Sequence, residues 1–211
     1  MTNPDVRTTV DADVLNWKLI GLVGRKGSGK DTAAKGLLKD PRWVRVALAD
    51  PLREVVKTMF QLSDAHCDDH ELKEQPGPLG VSYRRGMQAV GTELVRDQLQ
   101  KVLPEIGSEG FWIQHMRRTV ERHWQEGKRV VITDVRFEDE ADAIIELGGL
   151  LVFVDRPGVD RSDGHSSETG VDAIVAKYRA PDMLLRLENS STVASLQGQL
   201  QMIATPVCRS D

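Results

Sequence analysis

The chain has 211 residues, of which 40% are hydrophobic and 28% charged, and its formal net charge is −4. This length and apolar content favour one α/β domain with a buried core and exclude extended disorder. The slightly acidic balance gives no reason for general affinity toward nucleic acid polymers or membrane surfaces, so we expect phosphate recognition to be confined to a site.

The cysteines and the hydropathy pattern indicate a cytoplasmic protein. Cys67 and Cys208 lack the spacing of metal ligands, and the first residues lack the basic-then-apolar form of a signal peptide. No apolar run approaches the roughly 20 residues that span a bilayer. We therefore expect a reducing compartment and no membrane partner.

Residues 1–15 are polar and predict a flexible N-terminal arm, and an apolar strand follows over residues 17–23. Directly after it, residues 24–32 read GRKGSGKDT, the pattern of a phosphate-binding loop between a strand and a helix. Its glycines let backbone N–H groups turn toward phosphates, and Lys30 neutralises charge at the far phosphates. The loop predicts that the chain binds a nucleoside triphosphate.

The residue after Lys30 is Asp31, where a magnesium-binding hydroxyl is usual, and Thr32 comes next. Asp31 can hold Mg²⁺ through water, Thr32 can supply a hydroxyl, or both can cap the following helix. These two residues are the candidate metal ligands.

Apolar, strand-like segments alternate with helical patterns along the rest of the chain. The predicted strands cover residues 17–23, 44–48, 130–133, 150–154 and 183–187. The predicted helices cover residues 31–39, 51–61, 85–102, 110–126, 138–147 and 191–203. The alternation predicts a P-loop three-layer α/β fold, a five-stranded and mainly parallel sheet with helices on both faces. Residues 63–82 break both periodicities and predict a loop or small insertion.

Polar residues follow the predicted strands, at the edge where open α/β sheets bind ligands. Asp134 ends the third strand, where it can hold magnesium-bound water, hydrogen-bond a sugar or simply pair with Arg136. A second phosphate-bearing substrate would need its own cations. Guanidinium groups suit phosphate, which makes candidates of Arg53, Arg84, Arg85 and Arg136.

The predicted helix over residues 85–102 contains Gly86 and Gly91, and each costs about 1 kcal/mol relative to Ala. Small residues let a substrate or a neighbouring helix approach closely. Gln88 and Thr92 share one helix face and can supply hydrogen bonds there. Helix packing without a ligand is the alternative explanation.

Six segments then occur in a specific order: GRKGSGKDT at 24–32, LADPLR at 48–53, RRGMQAVGTE at 84–93, FW at 111–112, DVR at 134–136 and RPG at 156–158. Together they resemble the phage-type deoxynucleoside monophosphate kinases, from about residue 18 to the last helix. The RRGMQAVGTE segment is far more discriminating than the phosphate loop, which many NTPases share.

The resemblance implies transfer of the ATP γ-phosphate to a deoxynucleoside 5′-monophosphate, with Mg²⁺, in a single kinase domain over residues 16–211. Residues matching the ATP site are Gly27, Ser28, Gly29, Lys30, Asp31 and Thr32. Arg156 would either cover the adenine or lie in a surface turn. Those matching the monophosphate site are Lys26, Arg53, Arg85, Gly91, Thr92, Trp112, Asp134, Arg136 and Glu140, with Gln88 added from its helix face. Lys30, Arg85, Asp134 and Arg136 would be catalytic.

The resemblance also implies a homodimer, and the host cytoplasm if a phage encodes the chain. A polar lid near residues 158–170 would close over the phosphates. Two alternatives stay open: a P-loop kinase for a coenzyme precursor or sugar acid, and a non-catalytic nucleotide-binding protein. Trp112, Gln88 and Thr92 favour a nucleotide acceptor, although Trp112 is equally suited to core packing.

Overall fold

The computed structural model of the protein describes residues 17–69, 71–158, 166–179 and 184–205. The predicted arm at 1–15 lies outside these residues, as does most of the predicted lid near 158–170. None of the helices in the described ranges has the length and apolar character that crossing a bilayer requires.

The described residues form one parallel sheet in the order β2-β3-β1-β4-β5, which confirms the predicted five-stranded α/β architecture. The strands are β1 (Leu19–Val23), β2 (Trp43–Val46), β3 (Arg129–Val135), β4 (Leu150–Asp155) and β5 (Leu184–Glu188). Strands β3 and β4 each have neighbours on both sides, which suits their apolar, non-alternating sequences.

Helices connect the strands and cover both faces of the sheet. In chain order they are α1 (Lys30–Leu37), α2 (Ala49–Met59), α3 (Asp64–Asp68), α4 (Tyr83–Gln88), α5 (Gln100–Val102), α6 (Phe111–Gln125), α7 (Glu138–Glu146), α8 (Ser166–Lys177) and α9 (Val193–Ala204). Short 3₁₀ turns occupy Leu72–Glu74 and Pro104–Ile106. Helix α8 is not among the predicted helices, because its polar start and Gly170 obscure the apolar periodicity.

The two faces of the sheet have separate cores. Helices α6, α7 and α8 bury Met116, Ile144 and Ile174 on one face. Helices α1 and α9 bury Leu37 and Leu200 on the other. All five side chains are nearly or fully inaccessible to solvent, so both faces have the packing that a three-layer fold requires.

The helix predicted at 85–102 is present but changes its winding. Helix α4 continues into a π-helix, Ala89–Leu99, and then into α5. π-Helical turns are rare and are frequent at functional sites. The wider winding alters which side chains of this segment point into the cavity, where Thr92 and Arg96 lie.

Residues 63–82 contain more regular structure than a loop. They include α3, the 3₁₀ turn Leu72–Glu74 and an antiparallel bridge between Pro76 and Ser82. Cys67 is buried in this segment. The segment lies beside α2 and α4 and forms part of the site wall.

The packing of α1 on α9 generates a stability prediction. A Cβ at Gly36 would lie 2.8 Å from the Gln197 carbonyl oxygen, whereas a Cβ at Gly198 would meet nothing within 4 Å. Gly36→Ala should lower the free energy of unfolding by about 1–3 kcal/mol through overpacking. Gly198→Ala should raise it by about 0.5–1 kcal/mol, because alanine favours the helix.

Urea unfolding of both variants measures this pair of effects. The two substitutions are chemically identical and lie in helices that pack together, so Gly198→Ala serves as the control. Equal changes in both variants would show that α1 and α9 are not in close backbone contact.

Candidate active site

A cavity of about 1010 Å³ opens at the carboxyl edge of the sheet. It is bounded by the phosphate loop, α2, the α4 and π-helical segment, α6, the end of β3 and the start of α7. Most of the predicted site residues line it: Lys26, Gly27, Gly29, Lys30, Asp31, Thr32, Gln88, Gly91, Thr92, Trp112, Asp134, Arg136, Glu140 and Arg156. These residues come from five separate stretches of the sequence and converge on one space.

The phosphate loop adopts a backbone conformation that only glycine takes readily. Gly27 and Gly29 have φ values of 75° and 100°, and Gly29 begins α1 without a side chain to cap it. The first N–H groups of α1 are thus available to an anion. The Lys30 Nζ donates to the carbonyl oxygens of Gly24 (2.5 Å) and Arg25 (2.9 Å).

Residues far along the chain hold the loop in place. The Asn189 side-chain amide donates to the Ser28 carbonyl at 2.9 Å, and Arg156 donates to the Gly27 carbonyl at 3.2 Å. Arg25 pairs with Asp172 of α8. Ser28 itself is buried in the loop and does not line the cavity. Asn189 was absent from the predicted site because a single asparagine after a strand carries no pattern.

Asp31 and Thr32 both line the cavity. The Asp31 carboxylate is mostly exposed and lies 3.2 Å from Arg45 Nε, while Arg45 also pairs with Asp50 at 2.9 Å. The hydroxyl of Thr133, at the end of β3, is buried in the cavity wall, and no described group hydrogen-bonds to it. These are hard oxygen donors of the kind that Mg²⁺ prefers, and so few of them would leave the ion several water ligands.

Asp134 binds the backbone at the start of α2. Its two carboxylate oxygens accept from the N–H groups of Leu48 and Ala49, each at 2.9 Å. Burial raises the pKa of this carboxyl, and the two amide donors and Arg136 oppose the shift. Asp134 therefore fixes α2 to the end of β3, in addition to lining the cavity.

Glu140 and Arg96 form a buried pair on the cavity wall. Arg96 Nη2 lies 2.5 Å from Glu140 Oε1, and Glu140 Oε2 accepts from the N–H groups of Arg136 (2.9 Å) and Phe137 (3.1 Å). Burial raises the pKa of Glu140 to about 7, although Arg96 and the Arg136 amide lower it. Arg96 is not among the site residues predicted from the sequence, although it continues the four-residue spacing of Gln88 and Thr92.

The other side of the cavity is largely apolar. Trp112 is nearly buried and donates its indole N–H to the Gly91 carbonyl at 2.9 Å. Leu52 and Met87 line the same space. Trp112 thus packs in the core of this region and also forms part of the wall, so both predicted roles are compatible.

The two glycines in this wall permit helix packing. A Cβ at Gly91 would lie 2.4 Å from Leu52, and one at Gly86 would lie 2.7 Å from Val56. Both partners belong to α2. The close approach of α2 is one reason for glycine at both positions, and Gly91 also lines the cavity.

Two of the predicted arginines do not line the cavity. Arg53 pairs with Asp68 at 2.6 Å, and Arg85 pairs with Glu93 at 2.7 Å; neither lines the cavity. The Arg85 side chain is about half exposed on α4, and its predicted monophosphate and catalytic roles stay predictions. The neighbouring Arg84 lines the cavity instead, and its guanidinium pairs with Glu74, which also lies 3.9 Å from Lys26.

Glu140 generates a prediction about pH. With a pKa near 7 in the fold against 4.5 ordinarily, it binds its proton more tightly in the folded state. The free energy of unfolding of the wild type, minus that of Glu140→Gln, should therefore fall by about 2–3 kcal/mol as pH rises from 5 to 8. Urea unfolding at four pH values measures the difference; a difference that stays constant with pH would show that Glu140 ionises normally.

A family model and one relative identify the same family. The family model for deoxynucleotide monophosphate kinase matches residues 78–199. A protein of Acanthamoeba polyphaga mimivirus, named "Putative deoxynucleotide monophosphate kinase", is 37% identical over 187 residues, covering 86% of this chain and 93% of that protein. The uncharacterized protein ORF77 of Ictalurid herpesvirus 1 (strain Auburn) is 29% identical over 127 residues, covering 55% of this chain and 52% of that protein.

Among solved structures, a dephospho-CoA kinase from Campylobacter jejuni covers 88% of this chain and 94% of its own, with a TM-score of 0.44 and 10% identity. The family match spans more than half of the chain, and the mimivirus relative aligns over nearly its whole length. The chain belongs to the deoxynucleotide monophosphate kinase family.

Proposed function

We propose that this chain transfers the γ-phosphate of ATP to deoxynucleoside 5′-monophosphates, giving ADP and the deoxynucleoside diphosphate. The observation that carries the proposal is that a single cavity is lined both by the phosphate loop and by an apolar wall around Trp112. A cavity of about 1010 Å³ is at the upper end of the range for ligand pockets, as two nucleotide substrates require.

The charges lining the cavity suit two polyanions. Cationic side chains outnumber anionic ones there: Lys26, Lys30, Lys73, Arg84, Arg96, Arg136 and Arg156 face Asp31, Asp134 and Glu140. Two phosphates repel each other, and phosphoryl transfer spreads negative charge over the moving group. The excess of cations lowers the cost of bringing the two phosphates together.

In the transfer step, an oxygen of the acceptor phosphate forms a bond to the γ-phosphorus while the bond from that phosphorus to the β,γ-bridging oxygen breaks. ADP leaves with the electron pair of the broken bond. The acceptor phosphate is already an anion near neutral pH, so no side chain is needed as a strong base. The work of the protein is to position both substrates and to neutralise charge.

Lys30 has the clearest part in this step. Its ammonium group donates hydrogen bonds to two loop carbonyl oxygens. Phosphate oxygens that enter the loop would replace these carbonyl oxygens as hydrogen-bond acceptors. Asp31, Thr32 and Thr133 would hold Mg²⁺, which supplies further neutralisation of the ATP phosphates. Gln88 and Thr92 are placed to hydrogen-bond the monophosphate substrate.

The experiment that tests the proposal is an ADP-release assay with ATP and Mg²⁺ against a panel of deoxy- and ribonucleoside monophosphates, with the diphosphate product identified by chromatography. We expect acceleration by one or more deoxynucleotides. A panel arm with a coenzyme precursor and a sugar acid tests the alternative acceptors. ATP binding without any acceptor-dependent turnover would contradict the proposal and favour a non-catalytic nucleotide-binding protein.

Lys30→Ala tests the charge argument. Loss of one transition-state charge partner should reduce kcat about 100-fold or more. Lys35→Ala is the matched control, because Lys35 is exposed on the same helix and does not line the cavity. Steady-state kinetics of the two variants measure the contrast, and a Lys30 variant with near-wild-type turnover would remove Lys30 from catalysis.

A further inference from the structure

Arg96 lines the cavity, but both outer nitrogens of its guanidinium group already contact carboxylates. Its side chain is 18% exposed, and Nη1 and Nη2 each lie 2.5 Å from a carboxylate, those of Asp139 and Glu140. The flat guanidinium stacks on the Phe137 ring, with its carbon 3.8 Å from the ring centre. Both outer nitrogens and one face are therefore engaged by the segment that follows β3.

The contacts of Glu140 extend this connection to the backbone beside Arg136. One carboxylate oxygen binds Arg96, and the other accepts from the N–H groups of Arg136 and Phe137. Arg96 belongs to the π-helix, whereas Arg136 and Phe137 follow β3. The pair thus ties two walls of the cavity together at one point.

The same segment is also constrained from outside. A Cβ at Gly170 of α8 would lie 2.2 Å from the Arg136 carbonyl oxygen, so α8 packs directly on this backbone. Arg136 is consequently held between α8 on one side and the Arg96–Glu140 pair on the other. A small shift in that pair would move the Arg136 side chain relative to Gln88 and Thr92, which share the helical wall with Arg96.

The energetics of buried ion pairs support a geometric role. Desolvating Arg96 and Glu140 costs free energy that their attraction only partly returns, and apolar replacements of similar size are often equally stable. The pair adds little stability by this reasoning, but it fixes one arrangement of the wall. The π-helical winding, which is frequent at functional sites, places Arg96 where it can do so.

We propose that Arg96 is a positioning residue for the acceptor phosphate, acting through Glu140 on the backbone that carries Arg136. This inference rests on the proposed function. It assigns Arg96 to the acceptor half because its wall also carries Gln88 and Thr92, whereas the phosphate loop is held by Asn189 and Arg156 on other elements.

The test uses the double variant Arg96→Met/Glu140→Gln in the full chain. Arg96→Met alone would leave Glu140 buried without its partner, whereas the double variant removes both charges at similar volume. The glutamine oxygen can still accept from the Arg136 and Phe137 amides. The matched control is Arg117→Met, because Arg117 is equally buried, pairs with Glu109 and Glu146, and lies off the cavity.

We expect the double variant to raise the acceptor KM about tenfold or more while the ATP KM changes by less than about twofold. Arg117→Met should change neither. Arg96→Lys should give an intermediate acceptor KM, since it keeps one charge contact but loses the fork and the stacking. Thermal unfolding of each variant is measured alongside the kinetics. If the double variant does not fold, a rise in the acceptor KM of Arg96→Lys without a rise in its ATP KM tests the role of Arg96.

The possible failures are distinguishable. Wild-type turnover with an unchanged acceptor KM in the variants would overturn the role of Arg96 alone. An equal rise in both KM values, or the same rise in Arg117→Met, would show a general structural effect and also overturn it. A wild-type chain that neither binds nor phosphorylates any monophosphate would overturn the proposed function, and this inference with it.

Discussion

Repulsion between like charges is the constraint on which the rest of this cavity depends, and it applies before any substrate arrives. Lysines and arginines gathered in one space also repel one another. Each cation whose contacts are described here has an internal acceptor: loop carbonyls for Lys30, Glu74 for Arg84, and Asp139 with Glu140 for Arg96. The protein thus holds its positive charge close together by pairing it.

The paired cations differ in how easily a substrate can engage them. Arg84 and Glu74 are partly exposed, so an entering phosphate can replace that carboxylate at modest cost. Arg96 is 18% exposed and Glu140 only 6%, and Glu140 is tied to the backbone, so exchange there would be expensive. Cations at the rim are therefore suited to binding, and cations in the wall are suited to holding its shape.

Much of this organisation could be read from the sequence, because it depends on local patterns. The phosphate loop needs glycines at fixed positions, and strands β3 and β4 need apolar residues on both faces. No such local pattern indicates which of the arginines line the cavity. Arg53 pairs with Asp68, which belongs to a segment without apolar periodicity. Arg84 and Arg85 are adjacent in the sequence, and only their positions around one helix decide which of them lines the cavity. The π-helix was not predictable either, since its apolar spacing resembles that of an ordinary helix.

The glycines that bring α2 against the α4 and π-helical wall have a consequence for how substrate choice can evolve. With Gly86 and Gly91 already in contact distance of Val56 and Leu52, moving this wall toward α2 to enlarge the cavity would require both side chains to shift. A lineage that acquired a bulkier acceptor would have to exchange side chains on the wall, as at Met87 or Gln88, and leave the backbone in place. Close helix packing thus restricts new specificities to a few positions that can vary one at a time.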